Sequence, residues 1–239
     1  CLATNTFSSL KIDHLIKRIG ISHLKLELIM ITQIVKFDIK DEHIAQFKAL
    51  LEEDKQGAKA ETGLIEMRLY QDKNEPGVFF AYERFEDQNA VDYHGAQDYT
   101  QTLLNALPEI SQSAPQVMLL ENTVPAPLHE RNTKVVNPED DICIVFFIFK
   151  IKPSFKNKVI ERFATHVTQT RSQEPGNLVF DLYSIENNDD TLVVYEHWRS
   201  ESALWDIHFK QPYAVETSEL LAQAVVGDMQ QYMSFVKEI

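Results

Sequence analysis

The sequence predicts an α+β protein: two ferredoxin-like (βαββαβ) repeats in one chain, packed as an internal dimeric α+β barrel. Three observations carry this. A shift of 113 positions lays Glu61, Gly63, Leu69, Tyr70, Asn74, Tyr82 and Glu83 on Glu174, Gly176, Leu182, Tyr183, Asn187, Tyr195 and Glu196. Each copy then repeats the same succession of apolar periods, strand–helix–strand–strand–helix–strand. A sheet of that kind covers one face with its helices and leaves the other bare, and a second copy can bury it.

The first strands, "ITQIVKFDI" (31–39) and "ICIVFFIFKI" (142–151), are rich in β-branched and aromatic residues. Helices follow. Ile44, Phe47, Leu50 and Leu51, and in the second copy Phe155, Val159, Ile160, Phe163 and Val167, recur at three- and four-residue spacing. "ETG" and "EPG" then break the chain, with Gly63 and Gly176 expected to supply a positive φ. Second strands alternate through Ile65, Met67 and Leu69, and through Leu178, Phe180 and Leu182. The polar turns "QDKNEPG" and "SIENNDD" fold them back onto "VFFAYERF" and "TLVVYEHW".

In the second helical region Ala90 matches Ala203 at the same shift, but His94, Gln97 and Tyr99 match His208, Gln211 and Tyr213 at a shift of 114. One residue has been inserted, and a loop before the helix is expected to absorb it. Last strands are expected in "PQVMLLENT" and "MQQYMSFVKEI".

These elements divide the chain into an extension outside the fold (residues 1–29), a first domain (30–121), a linker (122–141) and a second domain (142–239). The extension has no counterpart before the second copy, so truncation to Met30 is expected to be harmless. The linker is rich in Pro, Asn and charge. A net charge of −13 argues against nucleic acid and against an anionic membrane surface, both of which select clustered Lys and Arg. No apolar run reaches the roughly 18 residues of a membrane span. Two cysteines without metal spacing give neither a disulfide framework nor a zinc site, which fits a cytoplasmic location.

Seven glycines form no GxGxxG or Walker loop, and HExxH and GxSxG are absent. What recurs is Glu, an aromatic residue, His and Tyr. Glu83 and Phe85, like Glu196 and Trp198, are two apart on a strand and share a face. Tyr82 and Tyr195 point the other way, towards the contact between halves. A buried carboxylate needs a partner, and the second helix can bring His94 or His208 against it. Such a pair can remove a proton from a phenol, or it can simply tie strand to helix.

"ETGLIEMRLYQDKNEPGVFFAYERFEDQNAVDYH" and "EPGNLVFDLYSIENNDDTLVVYEHWRSESALWDIH" resemble the antibiotic biosynthesis monooxygenase domain family, whose pattern is Gly, then Tyr-Glu-x-Trp, then Ala-Leu and His. The resemblance implies a cofactor-independent monooxygenase acting on a quinol-like or polyphenolic small molecule with dioxygen, without metal. It makes Glu83, His94, Glu196 and His208 the candidate catalytic residues. Phe85, Trp198, Tyr99 and Tyr213 become the candidate substrate-binding residues. Two alternatives stay open: haem degradation, with haem as substrate and His94 or His208 as its axial ligand, and a non-enzymatic, stress-associated binding module. The first copy has Phe85 in place of Trp and the second has the insertion before His208, so which pocket works is open. So is homo-oligomerisation beyond the internal pseudo-dimer.

Overall fold

A computed structural model describes residues 30–128 and 134–239. The first half comprises β1 (Ile31–Asp38), α1 (Ile44–Ala58), β2 (Leu64–Asp72), β3 (Val78–Phe85), α2 (Gln88–Gly95), α3 (Asp98–Ile110) and β4 (Gln116–Asn122). The second comprises β5 (Cys143–Lys150), α4 (Lys156–Gln173), β6 (Asn177–Ile185), β7 (Asn188–Trp198), α5 (Pro212–Ala224) and β8 (Met233–Glu238). The expected order appears in each. The extension at residues 1–29 and residues 129–133 of the linker lie outside the described residues.

The eight strands close into one antiparallel barrel in the order β1-β3-β2-β8-β5-β7-β6-β4. The halves share edges: β4 pairs with β1 of its own half and β6 of the other, and β8 pairs with β5 and β2. Period-two alternation sends Ile34, Phe80, Tyr82, Phe146, Val193 and Tyr195 into the barrel. Their neighbours Phe79, Ala81, Leu192 and Val194 go outwards beneath the helices. Four tyrosines thus meet inside in two pseudosymmetric pairs, Tyr70 with Tyr195 (2.5 Å) and Tyr82 with Tyr183 (3.0 Å). Each pair joins one half to the other, and the mutual bond satisfies hydroxyls that burial would otherwise penalise. Tyr82 and Tyr195 also stack at 4.6 Å, as their expected place between the halves requires.

Two local expectations are corrected. Gly227 is the glycine of positive φ among the described residues, so Gly63 and Gly176 do not serve a left-handed turn. Their role is close approach. A Cβ at Gly63 would lie 2.5 Å from Cβ of Ala90, and one at Gly176 2.7 Å from Cβ of Ala203, so each Gly–Ala pair seats the second helix on the hairpin. The inserted residue is not taken up in a loop either. Where the first half has the plain α-helix α2, the second has a π-helical turn (Ala203–Ile207) running into a 3₁₀ turn (His208–Lys210). A π-turn is what one extra residue inside a helix produces. The described parts of the linker at 122–141 also pack on the fold. Asn122 ends β4, Thr123 bonds to Leu182, Lys134 to the carbonyl of Glu174, and Arg199 to Val135 and Asp140.

Candidate functional site

In the second half the outer face of β5, β7 and β6 forms a floor, with α4, α5 and the π/3₁₀ segment above it. They line a cavity of about 450 Å³ that opens to solvent on one side. Apolar walls come from Phe147, Phe163, Phe180, Leu221, Met229 and Met233. Three buried titratable side chains reach the lining: His166 from α4, Glu196 from β7 and His208 from the 3₁₀ turn.

The sequence places each of them. Glu196 alternates with Leu192, Val194 and Trp198 on the helix-facing side of β7 and is drawn in with them. His166 lies on the buried stripe Val159, Phe163, His166 and Thr170 of α4. Burying these groups unpaired would cost several kcal/mol, and a bonded network answers that cost. His208 Nδ1 lies 2.9 Å from Glu174 Oε1, which also accepts the Tyr213 hydroxyl at 2.7 Å. A carboxylate can only accept there, so Nδ1 carries the hydrogen and Nε2 is the acceptor, which the Nε2–H of His166 meets. His208 Nε2 is 3.3 Å from His166 Nε2. Trp198 Nε1 donates to Glu196 Oε2 at 2.8 Å, and the indole lies 4.4 Å from the His208 ring. Burial pushes the Glu196 carboxyl up to about 7 against the opposing pull of His208. Burial, with His208 and Arg162 adding to it, drives His166 down to about 2, so His166 is a neutral donor.

The first half repeats the frame with altered chemistry. His94 Nδ1 bonds Glu61 Oε1 at 3.0 Å, and Tyr99 donates to the same oxygen at 2.5 Å. The buried stripe of α1, Phe47, Leu51, Asp54 and Ala58, matches that of α4 position for position, so Asp54 stands where His166 does. Asp54 Oδ2 is 3.7 Å from His94 Nε2, and Oδ1 accepts from Thr100. Glu83 accepts from Gln33 at 2.6 Å, and burial raises its carboxyl above the ordinary range. Phe85 packs against His94 at 5.6 Å. One imidazole therefore faces three carboxylates here, whereas in the second half a neutral imidazole replaces one of them.

The eight residues singled out in the sequence gather into two clusters, but their pairing differs from the expectation. No direct hydrogen bond joins Glu83 to His94 or Glu196 to His208. The imidazoles bond instead to Glu61 and Glu174, the glutamates of "ETG" and "EPG". Tyr99 and Tyr213 hold those glutamates, and Trp198 holds Glu196; neither Tyr213 nor Trp198 lines the cavity. Glu61 and Glu174 were visible as repeat identities but were read as punctuation. His166 has no matching histidine in the first copy, where Asp54 takes its place, and its one signal was a histidine on an apolar helical stripe.

The molecule is thus a one-chain α+β barrel with a polar cluster beneath the helices of each half. The antibiotic biosynthesis monooxygenase family matches at residues 30–105 and 142–220, and the chain belongs to that family. An uncharacterized protein of Synechocystis sp. is 36% identical over 84 residues, 35% of this chain and 56% of that relative, so the match spans about half the relative's length. Among solved structures, a candidate monooxygenase from Fusobacterium nucleatum aligns over 88% of this chain and 93% of its own, at 14% identity and a TM-score of 0.72. One from Lactobacillus acidophilus NCFM covers 87% and 93%, at 18% identity and 0.64. An anthrone oxidase-like protein covers 88% and 91%, at 14% identity and 0.62. These likenesses establish the fold, with both units in one chain.

Proposed function

We propose that the chain is a monooxygenase that oxidises a quinol-like or polyphenolic small molecule with dioxygen in the cavity of the second half, without a bound cofactor. The observation that carries this is the wall of that cavity: an imidazole fixed by a buried glutamate beside a carboxylate poised near neutrality, in otherwise apolar surroundings. A phenolic oxygen that takes the place of the His166–His208 hydrogen bond gives its proton to His208 Nε2 and accepts the N–H of His166. Glu174 stabilises the imidazolium that forms, and Glu196, ionised above neutral pH, adds to it. The resulting phenolate is electron-rich enough to reduce dioxygen, and the apolar walls keep water out. Overall, quinol and dioxygen give hydroxyquinone and water. One oxygen atom enters the ring, the other leaves as water, and the substrate supplies all four electrons.

Family membership supports the reaction class. Against the haem-degrading alternative, no Lys or Arg is among the cavity-lining residues, while Glu196 and Glu219 are, so haem propionates would meet carboxylates. The test is isotopic. Protein freed of metal and flavin, given a quinol under ¹⁸O₂, should yield product with one labelled oxygen atom. Unlabelled product, or binding of quinols without turnover, would favour the non-enzymatic module.

A further inference from the structure

The inserted residue has reshaped the mouth of the cavity. From the aligned Ala90/Ala203 to His94/His208, Trp205, Asp206 and Ile207 stand where the first half has only Asp92 and Tyr93. The π-turn that accommodates them keeps His208 buried, at 1% exposure, while leaving Trp205 46% exposed. Phe209 follows, where the first half has Gly95. Trp205 and Phe209 lie 5.1 Å apart and both line the cavity, and Trp205 also stacks on Phe235 of β8 at 5.9 Å. Two large aromatic faces are thus held half in solvent at the entrance of one pocket, by a backbone irregularity absent from the other. Such faces are more useful against a flat ligand than against water.

We propose that Trp205 and Phe209 form an aromatic lip that determines specificity, selecting a neutral, planar ligand of two or more fused rings for the second half. This rests on the reading of that cavity as the substrate site. Size points the same way. A cavity of about 150 Å³ is filled by one benzene, and this one is about 450 Å³. A single ring seated against His208 leaves the space under the lip empty, whereas a second and third ring extend into it. Neutrality follows from a lining with two carboxylates and no cation.

The chain has two tryptophans, and Trp198 is fully buried, so W198F leaves Trp205 as the sole reporter. Titration of W198F with 1,8-dihydroxyanthraquinone, an already oxidised tricycle, should quench Trp205 saturably. Calorimetric titration of wild type, W205A and F209A gives the affinities without relying on W198F. Each lip variant should weaken the tricycle about tenfold and hydroquinone less than twofold, with thermal midpoints unchanged. Anthraquinone-2-carboxylate should bind more weakly than the neutral tricycle. Equal weakening of one-ring and three-ring probes, or a tricycle that binds without perturbing Trp205, would overturn the lip. Because binding is read without turnover, lip-dependent binding of the tricycle with no oxygen uptake on its reduced hydroquinone form would count against the monooxygenase reading alone. Turnover indifferent to both lip substitutions would count against the lip alone.

Discussion

Glu174 holds His208 Nδ1 and His166 holds Nε2, and that division of labour sets the predictions at residue scale. Replacing His208 by Ala should lower turnover about 100-fold, the scale of a lost general base. Glu174→Gln should lower it too while leaving KM nearly unchanged, because Glu174 acts through the imidazole. Glu196 titrates near 7, so turnover should rise with pH through that value, and Glu196→Gln should flatten that limb. Stability has its own signature. His166 takes up a proton far more readily in the unfolded chain than in the fold, so stability falls as pH drops from the ordinary histidine range towards 2. In His166→Asn, unfolding free energy measured between about pH 6 and 4 should slope less steeply. His94, His208, Glu83 and Glu196 were legible because they repeat. Their partners were less so: a glutamate beside a glycine reads as a turn until the fold carries it under a helix 33 or 34 residues away.

At the scale of elements, period-two and 3.6-residue patterns placed the strands and helices because one face of each is buried. A one-residue insertion has no such signature. It counts the same whether a loop or a helix absorbs it, so the π-turn emerged only with coordinates. The glycines were misread for a similar reason, since a residue without Cβ serves a tight turn and a close contact equally well. The contact makes a sharp prediction. Gly176→Ala drives a methyl to 2.7 Å from Cβ of Ala203 and displaces the segment carrying His208. Denaturant unfolding should show a loss of about 1–3 kcal/mol, the usual cost of overpacking, with turnover falling as well. Gly63→Ala should cost similar stability and leave turnover intact.

At the scale of the whole molecule, β4 and β8 each bridge the two halves and the tyrosine pairs lie between them, so neither half should be stable alone. Residues 30–121 expressed alone should be insoluble or self-associate, and a stable monomer by sedimentation would contradict the shared barrel. That shared barrel was legible from duplication plus an uncovered sheet face. The inequality of the pockets was not, because it depends on Asp54 against His166 and on a π-turn, neither of which the repeat identities mark. Inequality is the centre of the account, and oxygen consumption with a multi-ring quinol by wild type, His94→Ala and His208→Ala tests it most directly. The account predicts uptake by wild type, uptake within about threefold of it in His94→Ala, and a loss of about 100-fold in His208→Ala. Equal losses in both variants, or a larger one at His94, would contradict it.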